Sequence, residues 1–183
     1  MAACTGSGWR RGALRTACAL QALPALVALL ALVAAPASSQ EGTFALKSMT
    51  PEAAVSAARS ALEHCRKQGY QVTVAVVDRS GLLQALVRDR FAGAHTVEVA
   101  TNKAWTAASF KLSTATLALE TQAGKPMSGI RSLPHVLAAG GGLPIQAGGV
   151  LLGGIGVSGA PGGEMDDACA QAGIRAIAES LEF

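Results

Sequence analysis

The sequence predicts a mixed α/β fold of the α+β kind: an antiparallel sheet flanked by helices in the order α-β-β-α-α-β-β-α. Three observations predict it. Apolar residues recur at helical spacing in separate stretches; strand-like stretches come as hairpin pairs instead of alternating with helices; and the first strand is apolar on both faces, as a central strand covered by helices must be.

The helices and strands begin only after a leader. Arg10, Arg11 and Arg15 make a positive start, an apolar run from Ala17 to Ala35 is interrupted only by Gln21 and Pro24, and Ala35-Pro36-Ala37 fits an A-x-A cleavage signal. Residues 1–39 therefore predict a signal peptide and an exported protein, periplasmic or extracellular. An uncleaved membrane anchor is the competing reading, since such a run could just span a bilayer. Residues 40–49 read as a tether and 50–183 as one domain. Of the fifteen Lys and Arg, three lie in the leader, with none of the twelve Asp and Glu, so the remainder carries twelve of each sign. That balance leaves no basic stripe for nucleic acid.

Thr50-Pro51-Glu52 starts the first helix: a capping hydroxyl, proline at the first helical position, an acid in the first turn. Val55, Ala58, Leu62 and Cys65 recur along it, Arg66 and Lys67 suit its C-terminal dipole, and Gly69 ends it. Val72, Val74 and Val76 alternate as a strand, Asp78-Arg79-Ser80-Gly81 turns, and Leu82–Arg88 returns. Phe91-Ala92-Gly93-Ala94 leads into a second helix with His95 or Thr96 near its start, whose small-residue face is Val97, Ala100, Ala104 and Ala107/Ala108. Ser113-Thr114 restarts a short helix to about Glu120. The stretch from Thr121 to Pro144 has no strong periodicity and reads as a functional loop or an interface. Gly148–Val157 reads as a second hairpin, and Glu164 or Asp166 opens a last helix burying Ala168, Ala172, Ile174 and Ile177/Ala178.

Eleven of the twenty-four residues from Gly140 to Gly163 are glycine, and Gly154, Gly156 and Gly159 spell G-x-G-x-x-G. A dinucleotide site needs that third glycine inside a helix and a further βαβ unit. Here Ala160-Pro161-Gly162-Gly163 follows, with room for one helix and no strand. The glycines are read instead as close packing under a helix and a turn, within the chain or across a subunit boundary. Cys65 and Cys169 fall on the first and last helices; they either pair, as export permits, or stay as two buried thiols.

In order and spacing, Val77-Asp78-Arg79-Ser80-Gly81, Arg88, Lys103-Ala104-Trp105-Thr106-Ala107, Gly154-Ile155-Gly156-Val157-Ser158-Gly159 and Asp166-Asp167 resemble the GlcG/HbpS-type haem-binding family, whose domain also ends some PduO-type cobalamin adenosyltransferases. The resemblance covers Thr50 to Glu182. It implies a profilin-like sandwich that assembles as a homo-oligomer, from dimer to octamer. It also implies haem or a related tetrapyrrole as cofactor and, for secreted members, a role in haem handling or redox sensing with a membrane-bound sensor partner. Other members are encoded with glycolate metabolism. A non-enzymatic role is favoured over catalysis.

A haem site needs an axial donor, apolar walls and cations for the propionates. The resemblance carries an iron-side threonine onto Thr106. His95 is the second candidate donor, with capping as its plainer role; His64 at a helix end and His135 in the long loop are weaker ones. Trp105 offers a wall, or ordinary core packing. Lys103 and Arg88 offer cations to propionates or, in an alternative reading, to a small organic acid such as glycolate; surface solvation is their plainer role. Asp78 fixes the hairpin turn, and Asp166 and Asp167 suit a helix N-terminus. A structural oligomer without ligand is the third reading. No Ser-His-acid, CxxC or HExxH pattern is present.

Overall fold

The computed structural model describes residues 42–181. The segment 1–39, expected from sequence to be a signal peptide, lies outside them. Among the described residues no helix is long and apolar enough to cross a membrane. The chain divides into a unit 1–44, of which residues 42–44 are described and exposed, and a unit 45–183 that carries the fold.

Helix α1 (Pro51–Lys67) begins as its sequence dictates, with Thr50 Oγ1 accepting from the Ala53 N–H. Its buried stripe is Ala54, Ala57, Ala58, Ala61, Leu62 and Cys65, while Val55, expected inside, is 38% exposed. Met49, at the end of the stretch read as a tether, is buried in the core. The first hairpin pairs β1 (Thr73–Asp78) with β2 (Leu83–Arg88). Asp78 Oδ1 accepts from the N–H groups of Ser80 and Leu82 and closes the turn. Helices α2 (Thr96–Phe110) and α3 (Thr114–Glu120) follow, then a 3-10 turn at Ser128–Ser132 within the long loop.

The second hairpin starts earlier than the sequence suggests. Strand β3 (Gly142–Ala147) takes in Pro144, and β4 runs Val150–Ser158, with Gly148-Gly149 as the two-residue turn, both at positive φ. Proline reads as a strand breaker, but the sheet order β2-β1-β4-β3 puts β3 at an edge, where a missing N–H is tolerated. Helix α4 (Gly163–Ile177) and a 3-10 turn (Ala178–Leu181) end the described chain.

The sheet is antiparallel throughout, with β1 and β4 central. Val74, Val76, Ile155 and Val157 belong to the core built with α1 and α4. Ala75 and Val77 belong to a second core with Ala100, Ala104 and Ala108 of α2. Alternation along β4 thus places Gly154 and Gly156 under α2. A Cβ at Gly156 would lie 2.1 Å from the Ala100 carbonyl oxygen, and one at Gly154 2.4 Å from that of Ala104. The glycines serve close packing within one chain. On the other face, a Cβ at Gly173 would lie 2.6 Å from the Ala57 carbonyl oxygen, so α1 and α4 run in close contact. Cys65 and Cys169 form a disulfide between these two helices.

Candidate haem-binding site

The segment between β2 and α2 has few regular hydrogen bonds of its own, and side chains fix it instead. Asp89 is buried and receives Arg66 Nε and Nη2 at 2.7 and 2.9 Å, while its backbone N–H donates to the Val72 carbonyl. The bidentate guanidinium holds the Asp89 carboxyl below the usual carboxylate range. Arg88 Nη1 donates to the Ala92 carbonyl. Thr96 Oγ1 donates to the Gly93 carbonyl at 2.6 Å and meets Thr73 Oγ1 at 2.7 Å inside the fold.

Held at these points, the loop presents Phe91 at 79% exposure and His95 as the exposed residue before α2. The imidazole lies over Gly93, where a Cβ would stand 2.7 Å from Cε1 and 2.9 Å from Nδ1. Any larger residue at 93 would displace the ring. Beside it is an open hollow of about 490 Å³, lined chiefly by Tyr70, Gln71, Phe91, His95, Asp166 and the Ser158–Gly163 turn. Gln71 Oε1 is buried and has no hydrogen-bond partner.

Behind the hollow stands a buried ion pair. Lys103 Nζ lies 2.8 Å from Asp166 Oδ2 and donates to the Val157 carbonyl at 2.8 Å. Asp166 Oδ1 accepts from Ala160 N–H, and Asp167 Oδ1 from Gly141 N–H at 2.7 Å. Burial pushes both carboxyls above their usual range, Asp166 even against the pull of Lys103. The pair ties the start of α4 to α2 and the end of β4.

The proposed site residues therefore separate. His95 stands at the end of the loop before α2, and Arg88 at its start donates to the Ala92 carbonyl within it. Lys103 faces Asp166 and not solvent, so its ammonium helps form the site without lining it. Trp105 and Thr106 sit toward the other end of α2, with His135. Thr106 is fully buried; its hydroxyl donates to the His135 carbonyl at 3.2 Å and accepts from Leu137 N–H at 3.0 Å. Trp105 is half-buried against His135, ring centroids 5.9 Å apart. His95 and Thr106 are eleven residues apart, about 16 Å along a helix axis. Within one chain they are alternative iron donors, not a pair. His64 stays in the last turn of α1, apart from both groups. Asp89, Tyr70, Gln71 and Phe91 were not singled out from sequence as site residues. The exposed aromatic four residues before a histidine was the available signal; the orphaned glutamine has none.

Residues 49–175 match the family described as haem degrading protein HbpS-like. The chain belongs to the HbpS-like family. HbpS from Streptomyces reticuli, solved as a double mutant, superposes with a TM-score of 0.70 at 38% identity, covering 78% of this chain and 96% of that one. A PduOC:heme complex superposes with a TM-score of 0.68 at 32% identity, over 72% and 96%. The corrinoid adenosyltransferase PduO of Salmonella typhimurium is 35% identical over 121 residues, 65% of this chain but only 36% of that protein's length. Both solved neighbours of this HbpS-like chain are matched over almost their whole length, so the antiparallel sheet and the flanking helices are the family's own framework.

Proposed function

We propose that this protein is an exported haem-binding protein that holds its ligand in the hollow before α2, in haem handling and not catalysis. The observation that carries the proposal is the convergence there of the exposed His95 imidazole with exposed Phe91 and with Tyr70, beside a loop braced by Arg88 through the Ala92 carbonyl. Those are the donor, walls and cation that a haem site requires. A volume of about 490 Å³ is within the ordinary range for small-molecule sites, and the unpartnered Gln71 Oε1 is a buried polar atom awaiting a donor.

Bound haem would supply an iron that the His95 imidazole would hold. Arg88 uses one guanidinium N–H on Ala92, which leaves others for a propionate. The HbpS-like family and the PduOC:heme neighbour support this ligand. The disulfide supports an oxidising compartment, and the neighbours' family supports assembly as a homo-oligomer; a membrane-bound sensor is the partner this reading admits. The organic-acid alternative required Arg88 and Lys103 to act together, and the burial of Lys103 on Asp166 removes one of its two anchors.

Titration of the purified protein with hemin tests the reading. A Soret shift that saturates is expected, weakened by His95→Ala. Absence of any shift at micromolar hemin, with the fold intact by circular dichroism, overturns it.

A further inference from the structure

Helix α1 ends in a closed motif that fixes the residue following it. Gly69, at φ 82°, turns the chain. Its N–H donates to the Arg66 carbonyl at 2.9 Å, and the Tyr70 N–H reaches back to the Cys65 carbonyl at 3.0 Å. This pairing is the Schellman arrangement of a helix C-terminus. It leaves Tyr70 half-buried, packed on the core that contains Cys65 and lining the hollow. Among the described residues none hydrogen-bonds the phenol hydroxyl, and that oxygen is not a buried atom. It stays available to whatever the hollow holds.

Two of the lining side chains can offer an anionic oxygen, Tyr70 and Asp166. Asp166 is committed, through Oδ2 to Lys103 and through Oδ1 to the Ala160 N–H. Tyr70 is not. The hollow is therefore lined by donors of two kinds, the imidazole of His95 and the phenol oxygen of Tyr70. Resting on the haem reading above, we infer that Tyr70 is a second iron donor in the hollow and makes it selective for ferric over ferrous haem. An imidazole serves either oxidation state, whereas a phenolate is a hard, charged donor. The macrocycle's own negative charges cancel a ferrous ion but leave a ferric ion in excess, so only the ferric form attracts the phenolate. Binding forms the oxygen–iron bond with an oxygen electron pair and releases the hydroxyl proton to the solvent of the open hollow. Iron keeps its oxidation state throughout, and no co-reactant is needed.

The test titrates the purified full chain with hemin, and in parallel, without oxygen, with dithionite-reduced hemin. Tyr70→Phe keeps the ring, and with it the wall and the core contact, so its circular dichroism should match the wild type. The wild type should bind the ferric form more tightly than the ferrous, and resonance Raman spectra should show the vibrations of an iron-bound phenolate. Loss of a group that merely orients a ligand weakens a metal site about 10–100-fold, so Tyr70→Phe, which removes a ligand, should weaken ferric binding at least that much. Ferrous binding should be unchanged in that variant, and the phenolate vibrations should vanish. Equal ferric affinity in Tyr70→Phe, or no phenolate vibrations in the wild type, would overturn the inference; a Soret shift still weakened by His95→Ala would then keep the haem reading. No Soret response in the wild type would overturn both.

Discussion

Lys103 on α2 and Asp166 on α4 form a buried ion pair at 2.8 Å, although the helices carrying them are separated by both strands of the second hairpin. The same ammonium donates to the Val157 carbonyl near the end of β4, so one side chain fixes three elements beside the hollow. Removing one partner of such a pair leaves the other buried and uncompensated, which typically costs about 3–5 kcal/mol. Lys103→Met is expected to destabilise the fold by that order in urea denaturation. Adding Asp166→Asn should recover part of the loss, because the neutral amide removes the stranded charge and can still accept from Ala160. A double variant no more stable than Lys103→Met would show that packing of the lysine stem, and not its charge, matters here.

The carboxyls give opposite pH dependences. Arg66 holds Asp89 below its ordinary value, so Asp89 contributes stability that is present above about pH 4 and is lost as pH falls through its lowered folded value. Burial holds Asp166 and Asp167 above theirs; their stabilising contribution is present below about pH 4 and lost as pH rises through the raised folded values. Urea midpoints measured from neutral to acid pH check both signs. Asp89→Asn should lie below the wild type at neutral pH and converge with it in acid. Asp167→Asn, which keeps an acceptor for Gly141, should make the acid loss steeper. Because the Arg66 side chain is 46% exposed, solvent screening will keep the Asp89 effect small. A constant offset for Asp89→Asn across the range would contradict the assignment.

Local signals were read most directly from sequence. Thr50, Pro51 and Gly69 bounded α1, Asp78 and Gly81 the first turn, and Gly154 and Gly156 proved to be a packing surface and not a phosphate cradle. The facing of helices was less legible: in α4 the buried residues are Asp166, Cys169, Ala170, Gly173 and Ile177, while Ala168 is exposed, as is Ala178 in the 3-10 turn that follows. In a chain this rich in alanine, neighbouring stripes have nearly equal hydropathy, and the disulfide and Gly173 choose between them. β3 was hidden by Pro144, whose edge position only the sheet order reveals. The site was half legible for a related reason. Spacing can set Lys103 and Thr106 on one helix, but what they meet depends on Asp166 and His135, 63 and 29 residues away.

The disulfide closes a loop of 104 residues between two helices already in close contact. A crosslink over a loop of that size restricts the unfolded chain, and loss of a native disulfide typically costs about 2–5 kcal/mol. Cys65→Ala/Cys169→Ala should lower the melting temperature while leaving the far-ultraviolet spectrum unchanged, since both positions are buried small-residue sites. Reductant should destabilise the wild type and leave the double variant unaffected. Equal sensitivity of the two proteins to reductant would show that the crosslink is not the source of the effect.

Gly156 and Gly42 separate the packing role of glycine from its backbone role. A methyl at Gly156 meets the Ala100 carbonyl oxygen at 2.1 Å and the Ala104 nitrogen at 2.6 Å, backbone atoms of a helix that cannot yield without lifting off the sheet. At Gly42 nothing lies within 4 Å, and no positive φ is required. Overpacking a close contact of this kind costs about 1–3 kcal/mol, more where backbone must move. Gly156→Ala should therefore destabilise by at least that order, whereas Gly42→Ala should be neutral. Because α2 begins at the hollow, Gly156→Ala should also weaken hemin binding, even though residue 156 does not line the hollow. Gly156→Ala with wild-type stability would mean that α2 sits farther from β4 than this packing places it, and the support it gives the hollow would fall with it.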